Sequence, residues 1–276
     1  LYSILFYGLS FLWWKIRGKE IKAYKEFLAL FLYKVSFFLS LWFLIIGSFS
    51  FYHNSLSPAV FPLYILTNGE KTIQFQTMSH IASESFYKKV QENILHAKKD
   101  GYVLYFEGVT PGSEENKKAF DEALGIKFDA DIYKNFSKLY GVVAQDNAMF
   151  LWLENDKDFN VDISIDEVMN IYNERKKNTD TKEKALSTEV LDISSEVFDI
   201  LSTINERELS VLRYINTAFL NFFMKQEWLR NIIVEKVWNP DIFSIILGYR
   251  DIYLAEEIIS SEHEKIFVLY GMMHFE

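Results

Sequence analysis

KTIQFQTMSH at 71–80, YVLYFEG at 102–108 and KIFVLYGMMH at 265–274 decide how this sequence folds. Each is a short apolar run of buried-strand length, and each delivers a group capable of chemistry at its end: His80, Glu107 and His274. Such runs, separated by helical patterns, are the mark of a sheet covered on both faces. In open α/β sheets ligands bind beyond the carboxyl ends of the strands, so these three side chains are placed to converge.

Working outward from the first run, LYIL at 63–66 and the Asn68-Gly69 pair before it predict a β-hairpin. Phe86, Val90, Ile94 and Ala97 recur at helical spacing over 84–99, and Gly101 follows where that helix stops. Residues 115–139 read as helical with interruptions, and YGVVAQ at 140–145 as another short strand. Ser164 and Glu167 form a capping-box pattern that opens a helix to about residue 175. The charge-dense stretch 174–208 reads as solvated helix and loop. Residues 208–237 read as one long amphipathic helical stretch ended by Asn239-Pro240, and a last helix over about 249–260 precedes the final strand. The fold class expected is therefore α/β, with a mixed, mainly parallel sheet covered by helices over 64–276.

Ahead of this domain the composition changes. Val35 to Tyr52 contains no charge, and a helix of that run extended back to Leu28 is long enough to cross a hydrocarbon core. Lys34 lies where it can snorkel to the interface, and Trp13, Trp14, Tyr33 and Tyr52 sit where interfacial aromatics belong. Residues 1–14 read as the tail of another span, so N-terminal transmembrane helices are expected, with 1–52 a membrane hairpin and 15–26 its basic loop. Pro58 and Pro62 mark 53–63 as an extended linker. The positive-inside rule puts the loop in the cytoplasm and the domain on the extracytoplasmic side. The start at Leu1 and the stop at Glu276 read as cuts from a longer protein.

The whole chain carries −9 and its first 52 residues +4, so residues 53–276 carry −13. An acidic domain of that size repels phosphate backbones, which sets nucleic acid aside as a partner. The bilayer, and a peptide or small-molecule substrate, are the partners expected. With no cysteine, disulfides and thiolate chemistry are excluded.

Two imidazoles and a carboxylate can hold a zinc-like or manganese-like ion with open coordination positions. They serve equally as general base and orienting acid without an ion. The remaining histidines, His53, His96 and His263, read as surface residues.

At these residues the sequence resembles the TraB/TIKI group of the erythromycin-esterase and ChaN-like superfamily. That group carries two Gly-x-x-His motifs, matched here by Thr77-Met78-Ser79-His80 and Gly271-Met272-Met273-His274, with a strand-end Glu matched by Glu107. Its Glu-Arg-Asn signature reads Tyr249-Arg250-Asp251. A Gln after a Gly-containing strand corresponds to Gln145, and an aspartate in an "aDv" segment to Asp162. Thr77 stands where the family has glycine, and Tyr249 and Asp251 where it has Glu and Asn.

The resemblance covers about 64–276 and implies histidines and glutamate facing one pocket. Relatives include metal-dependent peptidases, metal-free esterases and inhibitors of peptide pheromones. It implies first a metal-dependent hydrolase: His80 and His274 bind Mn, Co or Zn, Glu107 is ligand or base, and Arg250 steadies developing negative charge. Gln145 and Asp162 join the catalytic set by their motifs. The alternatives are a non-catalytic ligand- or peptide-binding regulator, and a metal-free esterase with His80 as general base.

Overall fold

The computed structural model describes residues 24–127, 131–146, 148–151, 153–178, 192–229 and 239–274, with residues 13, 15, 17, 190 and 232. The first long element is α1 (Tyr24–Phe51), continued by a π-turn at Tyr52–Leu56. The hairpin β1 (Leu63–Thr67) and β2 (Thr72–Met78) follows, then β3 (Ile81–Ala82), α2 (Glu84–Lys99) and β4 (Val103–Phe106). Next come α3 (Glu114–Leu124), α4 (Ile132–Tyr140), β5 (Val143–Ala144), α5 (Ala148–Leu151) and β6 (Phe159–Asn160). The chain continues through α6 (Ile165–Asn178), α7 (Ile193–Thr203), α8 (Glu206–Lys225) and α9 (Pro240–Ser244). A π-turn at Ile245–Tyr249 leads into α10 (Arg250–Ser260), and β7 (Lys265–Gly271) ends in a 3₁₀ turn at Met272–His274.

The main sheet has the order β1-β2-β7-β4-β6. The hairpin pairs Leu63 with Gln76 through Thr67 with Thr72, and Gly69 takes the positive φ of +94° that its turn requires. All other neighbours are parallel, so β7 lies between β2 and β4 and the three chemistry-bearing strands leave the sheet at one edge.

Side-chain alternation along β7 builds both faces of the core. Phe267 and Leu269 join Val90, Ile94 and Ala97 of α2, with Leu104 and Phe150. Ile266, Val268 and Tyr270 meet Leu254 of α10, with Phe75, Val103 and Tyr105. A third cluster joins α3, α6 and α9 through Leu124, Val168, Met169, Tyr172 and Ile242. Local chemistry fixes the helix starts: Ser83 caps α2, Asn205 and Glu208 form a capping box on α8, and Ser164 and Glu167 bond reciprocally at the start of α6.

Four features differ from expectation. One helix among the described residues, Leu28–Leu56 with a mean hydropathy of 2.1, is long and apolar enough to cross a membrane; the other span expected over 1–14 lies outside the described residues except Trp13. YGVVAQ contributes only β5, which pairs with β3 away from the main sheet, while the two-residue β6 supplies the fifth strand. The long helix expected over 208–237 is broken at Gln226, which leaves helical geometry; Glu227, Trp228, Leu229 and Ile232 are helical again, and the rest of that stretch lies outside the described residues. The linker is helical to Leu56, and His53 is buried rather than on the surface. Its ring packs on Phe49 and Phe222, and its Nδ1 lies 3.1 Å from Lys225 Nζ.

Candidate functional site

Glu107 leaves the sheet one residue after β4, and its two carboxylate oxygens have different partners. Oε1 accepts from Arg250 at 2.7 Å, and Oε2 accepts from the Gly271 backbone N–H at 2.6 Å. A Cβ on Gly271 would stand 3.1 Å from Oε2 and 3.3 Å from the His274 ring. The glycine is therefore a close-approach position rather than a mere turn residue.

Arg250 opens α10 and is buried. Its Nε and one terminal nitrogen donate to the two oxygens of Asp162 at 2.7 Å each, and that same nitrogen also reaches Glu107. The Asp162 side chain is fully buried. A fork on a carboxylate is the geometry arginine supplies best, and removing one partner from such a buried set costs about 3–5 kcal/mol. The Arg250 pKa is raised: burial opposes the charge, but Glu107 and Asp162 more than compensate. For Glu107 burial also disfavours the charge, while Arg250, His274 and His80 overcome it and hold the carboxyl below its usual range.

His274 sits in the turn after β7, its ring almost wholly enclosed against Tyr270. Its Nδ1 lies 2.7 Å from Asp251 Oδ1, and its Nε2 lies 3.8 Å from Glu107 Oε1. A carboxylate at Nδ1 keeps the proton there in the neutral ring and leaves the Nε2 lone pair facing Glu107.

His80 follows β2 by two residues and stacks on Tyr133 of α4, with ring centres 4.3 Å apart at 25°. Its carbonyl accepts from the Gln145 N–H at 2.7 Å, which ties β5 to this edge. His80 is exposed at the rim of the site. The surrounding walls still remove enough solvent to lower its pKa; Glu107 opposes that shift, and Arg250 and His274 add to it. Burial, with Glu107 nearby, raises the Tyr133 pKa and keeps its phenol protonated.

All six residues singled out from the sequence lie at this one edge. Glu107, Asp162, Arg250 and His274 form a connected network, His80 faces it electrostatically, and Gln145 lines the recess beneath Glu107 with Met78, Leu104, Phe106, Phe150 and Leu269. That recess has a volume of about 10 Å³, space for about one water. Arg250 differs from expectation: its guanidinium is committed to two carboxylates, so it positions them. Asp251, Tyr133 and Tyr270 complete the site without having been picked from the sequence. Thr77, in the place of the family's first glycine, is buried within β2 and donates to the Pro62 carbonyl.

Among the described residues no group of three or more His, Asp or Glu is arranged to hold a metal ion. The Glu107 oxygens are occupied, and a guanidinium 2.7 Å away opposes a second cation at that carboxylate. As arranged, His80, His274 and Glu107 do not fit a three-ligand centre. The arrangement does offer two imidazoles of different environment beside one ionised carboxylate, a set able to accept and return protons.

In comparisons with protein-family models, curated proteins and solved structures, no match to this chain is found.

Proposed function

We propose that this chain is a membrane-tethered hydrolase that works by general acid–base catalysis at the edge of its sheet. His80, held largely neutral, takes the proton of an attacking water. His274, fixed by Asp251, enters as the imidazolium with its Nε2–H facing the site and gives that proton to the leaving group; the proton taken by His80 is released to solvent, from which His274 is protonated again. Glu107 lies 3.8 Å from the His274 ring and acts electrostatically on His80, and Arg250 holds Glu107 and Asp162 in place. The substrate is an ester or a peptide reached from the extracytoplasmic side, since the excess of Lys and Arg over 15–26 keeps that end of α1 in the cytoplasm by the positive-inside rule.

The observation that carries this reading is the Asp251–His274–Glu107 arrangement at the strand edge that also bears His80. The TraB/TIKI resemblance supports hydrolysis at these residues, and of the hydrolases it implies this is the metal-free one.

A second reading keeps His80 and His274 as ligands of Mn, Co or Zn. A carboxylate on the Nδ1 of a metal-binding imidazole is a common orienting device, and Asp251 has that place. It requires Glu107 to leave Arg250.

The test is turnover of an ester and peptide panel by the full chain in detergent micelles after chelator treatment. Turnover that persists, and falls about 10²–10⁴-fold in His80→Ala, supports the acid–base reading. Turnover that vanishes on chelation and returns with Mn, Co or Zn favours the metal reading. Saturable peptide binding with no turnover in any condition favours a binding regulator.

A further inference from the structure

Between Arg213 and Lys225, α8 contains no charge: its residues 214–224 read YINTAFLNFFM. The polar residues of this stretch turn inward. Asn216 and Thr217 donate to the carbonyls of Leu139 and Tyr140 at the end of α4, at 3.2 and 2.5 Å. Asn221 accepts from the Ala59 N–H at 3.0 Å and donates to Asn54 at 3.2 Å. Two of its large apolar residues turn outward instead, Tyr214 and Phe219 at 45% and 52% exposed, and Val211 one turn earlier joins them at 62%, while Ala218 between them is buried. A helix bordering water has the opposite arrangement.

This outward stripe is continuous with the surface of α1. Phe49 stacks on Phe219 at 4.9 Å and on Phe222 at 5.7 Å, while Lys225 closes the contact on His53 and Ser57. Counting from Leu28, about 20 helical residues cross a hydrocarbon core of about 30 Å. Phe49 therefore stands at its far boundary, and the residues that pack on it stand at the same depth.

We propose that α8 lies in the membrane interface, with Val211, Tyr214 and Phe219 in contact with the acyl chains. The occupant of the stripe is the bilayer that α1 crosses, so the proposal rests on α1 being a span and goes beyond the catalytic reading. It gives the domain a second point of contact and holds it close to the lipid surface rather than free on a tether.

The natural absence of cysteine makes the test direct. Single variants Phe219→Cys, Val211→Cys, Glu206→Cys and Trp42→Cys of the full chain are spin-labelled and placed in phosphatidylcholine–phosphatidylglycerol vesicles. Their collision rates with oxygen, which concentrates in lipid, and with a water-soluble nickel chelate are then compared. Trp42→Cys, at mid-span, reports whether α1 is in the bilayer, so failure of the span and failure of the proposal are distinguishable. Labels at 219 and 211 should resemble the one at 42, with several-fold more oxygen than nickel contact, and the label at 206 should show the reverse. Equal nickel access at 219, 211 and 206 overturns the proposal. Protection from both reagents, or dipolar broadening between copies, also overturns it, because protein then covers the stripe.

Discussion

His274 and Asp251 are the residue pair on which the proposed chemistry turns. The short contact at Nδ1 sets which nitrogen of the imidazole carries the proton, and the ring's other nitrogen faces Glu107. Asp251→Asn preserves shape but permits the wrong tautomer. It is expected to lower kcat at least about 100-fold, within the range for loss of a positioned proton carrier. Because the Asp251 side chain is 37% exposed, the melting temperature should move little, and a thermal scan beside the kinetics checks both outcomes. The pH profile offers a second test. A depressed His80 pKa means the basic form persists below the ordinary histidine value of about 6.5. Activity is therefore expected to hold as pH falls through 6.5 and to decline only below it, as a pH–rate profile of kcat/KM reads directly. His80, Glu107 and His274 were legible in the sequence because each closes an apolar strand. The role of Asp251 was not. It lies on α10, 23 positions before His274, and only the packing of that helix against the end of β7 brings the two together.

At the scale of elements, β4 is held by a buried side chain as well as by its ladders with β7 and β6. Asp158 accepts from the Leu104 N–H and the Asn155 N–H at 2.7 Å each, and pairs with Lys98 of α2. Its side chain is 1% exposed, so Asp158→Ala leaves a strand N–H and an ammonium without their partner. A loss of about 2–4 kcal/mol is expected, read as a lower midpoint in urea with an unchanged slope. Elements with strong periodicity or a marked turn were legible: the Asn68-Gly69 hairpin, α2, the cap of α6 and the helix before β7. Those that depend on distant partners were not. β6 is two residues long in a polar setting and exists only because β4 offers its edge, while β5 pairs with β3 instead of entering the main sheet. The extended linker was read from Pro58 and Pro62, but the aromatic packing of His53 against α8 lies across more than 160 positions and no local pattern signals it.

At the scale of the whole molecule, an apolar helix is joined to an acidic domain whose sheet edge carries the candidate site. A phosphatase reporter fused after Leu56 is expected to be active and a fluorescent reporter that folds only in the cytoplasm to be dark; the reverse pattern would place the domain inside. The architecture of the sheet followed from three strand-end residues, whereas the docking of α8 on the end of α1 is a tertiary fact. The central claim is that His80 and His274, separated by 194 positions, act in one catalytic unit. The measurement that tests it most directly is kcat/KM for the wild type, His80→Ala, His274→Ala and the double variant, on the best substrate of the ester and peptide panel. Residues of one unit lose activity non-additively, so the double variant should fall no more than a few-fold below the worse single one. Losses that multiply, or single variants that retain wild-type turnover, would contradict the shared site.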